Sequence, residues 1–234
     1  MKDKLLVALD VENGAAALAL ADALRGSVGG FKIGSRLFTA EGPPIVRALT
    51  ERGDRVFLDL KFHDIPNTVA TAIAAATELG VWMVNVHAGG GTAMMRAARE
   101  AAHETAAKRN APVPLVIAVT VLTSMDQASL RDIGVVIDLR DQVMRLAELT
   151  QEAGLDGVVA SPQETRDIRR RCGKDFAIVT PGIRGGSAAD AKNDQERTMS
   201  PAEAIAAGAS YLVVGRPIIA AADPLTAARA IASV

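Results

Sequence analysis

Residues 57–69 read FLDLKFHDIPNTV and place two acids and a lysine, in the pattern D-x-K-x-x-D, at the end of an apolar run. If that run is a strand, Phe57, Asp59 and Lys61 lie on one face, because side chains alternate between faces along a strand. Pro66, which follows this motif, suits the first turn of a helix over residues 68–79, because the amide donor that proline lacks is not needed there. The stretch therefore predicts a strand, a charged corner and a helix.

The charged corner has two interpretations. An isolated D-x-K pattern is typical of a surface salt bridge at a strand end. Here Asp59 and Lys61 are interleaved with phenylalanine and leucine, which predicts partial burial, and a buried ion pair is weak evidence for stability. A second lysine, Lys32, lies in the short apolar run GFKIG. Together with Asp64, these residues favour a functional array of alternating lysines and aspartates.

Composition limits the class of protein. The 234 residues are 49% hydrophobic and 23% charged, with a formal net charge of -1, which indicates one large folded domain and argues against a nucleic-acid surface. A single cysteine, Cys172, excludes an intramolecular disulfide and predicts a reducing cytoplasm. No apolar run has the length of a signal peptide or a membrane span, so we expect a soluble protein. No zinc-ligand spacing joins that cysteine to the three histidines, His63, His87 and His103.

Short β-rich runs alternate with longer Ala-rich helical patterns along the whole chain. This alternation predicts βαβ units, and eight of them predict one closed (β/α)8 barrel over residues 1–234, with an open doubly wound sheet as the alternative. The predicted strands cover residues 5–10, 30–34, 55–61, 82–87, 115–121, 157–161, 177–181 and 211–215. The predicted helices cover residues 14–24, 43–52, 68–79, 92–108, 139–153, 163–171, 201–207 and 224–232.

Active sites of such barrels lie at the C-terminal ends of the strands and in the loops that follow. His87 is more typical of a structural hydrogen-bonding residue, and Asp10 could cap the first helix or contact a ligand. The unusual polar residues of this chain fall at these strand ends: Asp10, Lys32, Asp59, Lys61, Asn85, His87, Thr120, Thr123, Ser124, Gly215 and Arg216.

The last quarter of the chain has the pattern of a phosphate site. Residues 181–186 read PGIRGG and residues 215–217 read GRP, after the seventh and eighth predicted strands. Barrel enzymes often bind phosphate with these two loops, and Arg216 offers a forked donor for phosphate oxygens. The polar loop between them could serve only as a connection. We favour a phosphate site in which residues of about 184–200 form a lid.

Residues 59–68, DLKFHDIPNT, resemble the signature of the orotidine 5′-monophosphate decarboxylase family in its bacterial form. The resemblance implies a (β/α)8 barrel and a homodimer that needs no metal or organic cofactor. The implied reaction converts orotidine 5′-monophosphate to UMP and CO2, the last step of de novo pyrimidine synthesis. The resemblance extends over nearly the whole chain, through residues 9–10, 31–34, 85–88, 121–125, 181–184, 194–197 and 214–218.

The resemblance also implies a role for each site residue. Asp64 and Thr68 are expected to reach across the dimer interface into the partner's site. The family's catalytic array maps onto Lys32, Asp59, Lys61 and Asp64. The substrate contacts map onto Asp10 and Lys32 for the ribose, Thr123 and Ser124 for the pyrimidine, and Pro181, Arg184, Gln195, Gly215 and Arg216 around the phosphate.

The chemistry agrees with this array. Loss of CO2 from C6 of the pyrimidine leaves electron density on a ring carbon, so a cation must stabilise it and a proton must follow. Lys61 between two carboxylates stays an ammonium, because opposite charges favour the protonated form. It can therefore attract the carbanion and protonate it. Asp59 would lie beside the substrate carboxylate.

Three other classes of protein share parts of the pattern. A Schiff-base aldolase needs a deprotonated lysine, which the neighbouring acids oppose. The related magnesium-dependent sugar-phosphate decarboxylases and synthases need an acid at the end of the second strand, where this chain has Lys32. A phosphate-sensing module gives no reason for charges to converge away from the phosphate loops.

Overall fold

The structure, a computed structural model, describes residues 1–183 and 199–233. In these residues eight parallel strands close a barrel in sequence order, with the first strand paired to the last through Leu6 and Val213. The predicted (β/α)8 barrel is confirmed and the open sheet is wrong. The strands are β1 (Leu5–Ala8), β2 (Gly30–Gly34), β3 (Val56–Phe62), β4 (Met83–His87), β5 (Leu115–Val119), β6 (Gly157–Val159), β7 (Ala177–Thr180) and β8 (Tyr211–Val214).

The helices surround the barrel. All eight predicted helices are present with small differences at their ends, and three short helices that the pattern did not predict follow β2, β5 and β8. The helices are α1 (Gly14–Leu24), α2 (Ser35–Glu41), α3 (Pro43–Thr50), α4 (Pro66–Glu78), α5 (Gly91–Arg109), α6 (Gln127–Asp132), α7 (Leu139–Glu152), α8 (Thr165–Cys172), α9 (Pro201–Ala206), α10 (Arg216–Ile219) and α11 (Pro224–Ala232), with 3-10 turns at Lys2–Lys4 and Ala88–Gly90. In the described ranges no helix is long and apolar enough to span a bilayer.

Local signals explain where the helices begin. Asn13 caps α1 by accepting a hydrogen bond from the Ala16 amide at 2.9 Å, so the first helix does not use Asp10 as its cap. Pro66 occupies the first turn of α4, as predicted. Ser200 and the glutamate three residues later form a capping box at the start of α9. These three helices therefore begin where a side chain accepts from a first-turn amide or where a proline needs no acceptor.

The apolar core has two layers that follow strand alternation. Phe57 points into the barrel, whereas Leu58 joins the layer between strands and helices. The outer layer is the larger of the two. The inner layer is formed by Leu6, Ala8, Phe57, Met83, Ile117, Val179 and Val213, with Trp82, Leu115, Val159 and Tyr211 packed against it. Above this apolar floor, at the C-terminal ends of the strands, the inward-facing residues become polar, and the candidate site begins there.

Candidate active site

A pocket opens above the inner layer of the barrel core. Its floor is apolar and includes Phe57, and its rim carries most of the polar residues that the sequence predicted. The predicted site residues that line the pocket are Asp10, Lys32, Asp59, Lys61, Thr123, Pro181, Gly215 and Arg216. Val121, Leu122, Ile183 and Pro217 add an apolar wall. The pocket therefore combines a charged side with an apolar slot, an arrangement that suits a flat ring carrying anionic groups.

Four side chains from three neighbouring strand ends form an alternating chain of charges. Nζ of Lys61 lies 2.7 Å from Oδ1 of Asp59. Nζ of Lys32 lies 3.4 Å from Oδ2 of Asp59 and 3.4 Å from Oδ1 of Asp10. The side chain of Lys32 is 9% exposed and that of Asp59 is 13% exposed, so water screens these two charges weakly. The array holds two ammonium groups against two carboxylates at the mouth of the barrel.

β3 is irregular where it delivers its charges. The pairing of β3 with β4 shifts register between Leu58 and Phe62, and Lys61 has φ of 54°, in the left-handed region. Few non-glycine residues adopt this conformation, and those that do cluster at functional sites. Phe57, Asp59 and Lys61 nevertheless all line the pocket, and Leu58 and Leu60 pack in the outer layer, so the predicted alternation is confirmed in spite of the irregular pairing.

Asn85 is a site residue to which the sequence assigned no role. It is fully buried on β4, its Nδ2 donates to Oδ1 of Asp59 at 2.7 Å, and its Oδ1 accepts from the backbone N–H of Lys61 at 2.8 Å. One amide therefore joins both members of the Asp59–Lys61 pair. A buried asparagine inside the alternating run MVNVH was the available signal, since such a polar group needs partners.

Comparison with known proteins assigns the chain to a family. The model of the orotidine 5′-phosphate decarboxylase / HUMPS family matches residues 3–231. The chain belongs to this family. The resemblance predicted from residues 59–68 is thereby confirmed.

Members of the family resemble the chain over nearly all of its length. The orotidine 5′-phosphate decarboxylase of Moorella thermoacetica is 58% identical over 233 residues, which cover 99% of this chain and 92% of that protein. The enzyme of the same name from Syntrophotalea carbinolica is 56% identical over 230 residues, covering 98% and 93%. The crystal structure of orotidine 5′-phosphate decarboxylase from Lactobacillus acidophilus has a TM-score of 0.85 at 35% identity, covering 98% of this chain and 97% of that chain.

His87, the strand-end residue that we interpreted as structural, lies beside the charged array. Its ring centroid is 5.5 Å from that of His63. Burial, then the neighbouring His63 and Lys61, lower the pKa of His87 below its ordinary value. The imidazole is therefore neutral at neutral pH and adds no third cation beside the array.

Of the predicted site residues that the structure describes, three do not line the pocket. Asp64 is exposed on the segment that joins β3 to α4, Thr68 is exposed in the first turn of α4, and Ser124 is exposed after β5. Oδ1 of Asp64 accepts from the N–H of Ile65 at 2.6 Å, and Ile65 itself is 66% exposed. The charge of Asp64 therefore lies outside the pocket of the chain that carries it.

The predicted phosphate side is described in part. Gly215 lies just after β8, and Arg216 begins the short helix α10 with its side chain exposed at the pocket rim. Pro181 follows the neighbouring strand β7 and also lines the pocket. Arg184, Gln195 and most of the predicted lid lie outside the described residues.

Proposed function

We propose that this chain decarboxylates orotidine 5′-phosphate to UMP and CO2 in pyrimidine biosynthesis. Membership of the family and the close relatives of that name support the activity. The observation that carries the mechanism is the Lys61 ammonium, held 2.7 Å from Asp59 at the pocket mouth.

Lys61 acts on the charge that develops at C6. When the C6–CO2 bond breaks, its electron pair stays on the ring carbon, and a cation held beside that carbon stabilises it more in the transition state than in the substrate. The ammonium then gives its proton to C6, and UMP results. A Schiff-base mechanism would need this lysine without its proton, which the adjacent carboxylate opposes.

Asp59 and Lys32 organise that cation. Asp59 accepts from Lys61 with one carboxylate oxygen and faces Lys32 with the other, so the two ammonium groups are held apart. In the proposed complex Asp59 lies next to the substrate carboxylate, and loss of CO2 relieves the contact between the two anions. Because ground-state destabilisation is contested, we assign the larger part of catalysis to electrostatic stabilisation by Lys61.

The other predicted residues bind the parts of the nucleotide that do not react. Asp10 and Lys32 contact the ribose, and Thr123 with Ser124 contacts the pyrimidine beside the apolar wall. The phosphate is bound by the region of Pro181, Arg184, Gln195, Gly215 and Arg216. The phosphate is remote from C6, so its binding contributes to the rate by closing the lid, which is formed by residues of about 184–200.

The functional unit is a cytoplasmic homodimer in which Asp64 and Thr68 of one subunit complete the site of the other. Their exposure, and the exposed Ile65 between them, support an interface at this segment. Asp64 would supply the second carboxylate beside the partner's Lys61. The proposed ligand is a small nucleotide, and neither nucleic acid nor a membrane takes part.

The alternative is a magnesium-dependent sugar-phosphate decarboxylase or synthase. Lys32 argues against it, because a buried ammonium at the end of β2 would repel a divalent cation there. Exhaustive EDTA treatment should leave turnover unchanged. Loss of turnover that magnesium restores would favour the alternative.

The direct test is the absorbance of orotidine 5′-phosphate in the presence of the purified chain, with released CO2 measured in parallel. We expect the pyrimidine absorbance to change, and we expect the amount of CO2 released to equal the amount of orotidine 5′-phosphate consumed. A module that only senses phosphate would bind the nucleotide and leave the absorbance constant, and that result would refute the proposed function.

A further inference from the structure

Asn85 lies beside the Asp59–Lys61 end of the charged array without reaching the pocket surface. It is on the inner face of β4, two residues after Met83 of the apolar floor, and it is fully buried. It is absent from the residues that line the pocket. Asn85 therefore does not touch a substrate bound there, and any effect on the reaction must pass through its two partners.

The chemistry of those partners fixes the orientation of the amide. The backbone N–H of Lys61 can only donate, so it requires the oxygen of Asn85, at 2.8 Å. The ionised carboxylate of Asp59 can only accept, so it requires the nitrogen, at 2.7 Å. Asparagine has both groups on one short side chain. An aliphatic side chain here would supply neither, and an ionised aspartate would supply only the acceptor.

The bond to the Lys61 amide compensates for a gap in the sheet. Pairing of β3 with β4 is interrupted between Leu58 and Phe62, and Lys61 is left-handed within that gap. A residue in this sparsely populated conformation persists only where its surroundings hold it. The Asn85 side chain supplies the acceptor that a regular neighbouring strand would otherwise provide for this N–H.

We propose that Asn85 is the positioning residue that sets the geometry of Lys61 and Asp59 for proton transfer. One end of the amide fixes the backbone from which the lysine side chain extends. The other end fixes the carboxylate oxygen that also accepts from the lysine ammonium. This inference rests on the proposed function, because the position of the ammonium matters only if it acts on the substrate.

The first variant removes both bonds. Asn85→Ala should lower kcat about 100-fold, the effect of a small misplacement of a reacting group, while KM changes little because no substrate contact is lost. The amide proton of Lys61 should also exchange with solvent faster than in the wild type, a readout that does not depend on turnover.

The second variant, Asn85→Asp, keeps the shape of the side chain, but its ability to donate a hydrogen bond to Asp59 depends on pH. In Asn85→Asp the introduced carboxyl faces Asp59, and two carboxylates that share a site retain one proton between them. While protonated, the introduced group can donate to Asp59 as the amide did. The charged and titratable groups nearby are Asp59, Lys61, Lys32 and His87. The activity of Asn85→Asp, as a fraction of wild-type activity at the same pH, should therefore be partly restored at about pH 5 and should fall as the pH rises to about 8.

Thr150→Val is the matched control. Thr150 is also fully buried and its hydroxyl donates to the Leu146 carbonyl at 2.7 Å, but it lies on α7, away from the pocket. This control should lose stability without losing kcat.

The outcomes separate the inference from the proposed function. If the wild type fails to decarboxylate orotidine 5′-phosphate, the proposed function fails, whatever the exchange of the Lys61 amide shows. If the wild type is active and Asn85→Ala loses only the activity explained by its unfolded fraction, Asn85 is a structural residue and the inference is wrong. An unchanged Lys61 amide exchange in Asn85→Ala, or a flat pH profile of relative activity in Asn85→Asp, would also overturn it.

Discussion

Nζ of Lys61 lies 2.7 Å from Oδ1 of Asp59, two residues earlier in β3, and the two side chains differ in exposure. The Asp59 side chain is 13% exposed and that of Lys61 is 34% exposed. The carboxylate is therefore the fixed partner, and the ammonium extends toward the open pocket. Partly exposed ion pairs stabilise proteins little, so we expect substitution of Lys61 to affect chemistry more than folding.

Replacement of Lys61 by alanine should remove the proton donor and the stabilising cation together. We expect Lys61→Ala to lower kcat by more than about 1000-fold, since general acid catalysis alone contributes about 100- to 10,000-fold and the stabilising cation is lost with it. Affinity for UMP, measured by calorimetry, should remain within a few-fold of the wild type. A variant with turnover near that of the wild type would remove Lys61 from the mechanism.

Gly34 leaves room for the second ammonium. A Cβ at this position would lie 2.8 Å from Nζ of Lys32 and 3.4 Å from Oδ1 of Asp10, so Gly34→Ala must displace the lysine head group. Because Lys32 joins Asp10 to Asp59, we expect both a higher KM and a kcat lower by about 10-fold. Steady-state kinetics would measure both.

Gly89→Ala is the control for that change. A Cβ at Gly89 would approach only His63, at 3.9 Å, so kinetics and Tm should stay near the wild-type values. If Gly34→Ala behaves like Gly89→Ala, the position of the Lys32 ammonium is not critical for the reaction.

The barrel was predictable from the sequence because its signals are local. Each strand is a short apolar run and each long helix shows a repeating apolar face, and alternation of the two leaves few topologies. The short helices α2, α6 and α10 were not predictable in this way. Each buries a single residue, Leu37, Leu130 or Ile218, and one buried residue shows no periodicity.

The candidate site was predictable only in its composition. The charged residues at the strand ends were identified, because charges next to apolar runs are visible in the sequence. The role of Asn85 was not, since its partners depend on the register of β3 against β4 and on the left-handed Lys61. Register and backbone irregularity arise from tertiary pairing and have no local signal.

The proposed sharing of Asp64 can be tested by complementation. Neither Lys61→Ala nor Asp64→Ala homodimers should turn over substrate. Mixed dimers would place both lesions in one site and neither in the other, so activity should return on mixing. Exchange of subunits would be verified by native mass spectrometry. Verified exchange without recovered activity would mean that Asp64 serves its own chain.

Arg169 should stabilise the fold without affecting catalysis. Its guanidinium donates to the carbonyls of Gly173, Lys174, Phe176 and Gly208 and to Oγ of Ser210, joining the end of α8 to the approaches of β7 and β8. Burial lowers the pKa of Arg169, and these carbonyls would lose a charged donor in Arg169→Ala. We expect a loss of about 2 kcal/mol, or a Tm lower by about 4–8 °C, with kcat unchanged.

Arg171→Ala is the matched control on the same helix. Arg171 forms an exposed ion pair with Glu148, and exposed pairs contribute little. The Tm of Arg171→Ala, measured by calorimetry together with that of Arg169→Ala, should stay close to the wild-type value. Equal Tm values for the two variants would show that the Arg169 contacts do not stabilise this end of the barrel.

Arg216 should matter only for a substrate that carries phosphate. It lies at the pocket rim where α10 begins, after β8, which neighbours the strand that Pro181 follows and is separated from β3, with Lys61 and Asp59, by β1 and β2. Loss of a charge-assisted phosphate contact typically costs about 2 kcal/mol, so kcat/KM for orotidine 5′-phosphate should fall about 30-fold in Arg216→Ala, and more if phosphate binding drives closure.

Orotidine without its phosphate is the discriminating substrate, because it never engages this side chain. Wild type and variant should process it equally slowly. If Arg216→Ala slowed orotidine as severely as the nucleotide, Arg216 would instead support the fold or the chemistry at C6, and the phosphate site at the loops after β7 and β8 would have to be withdrawn.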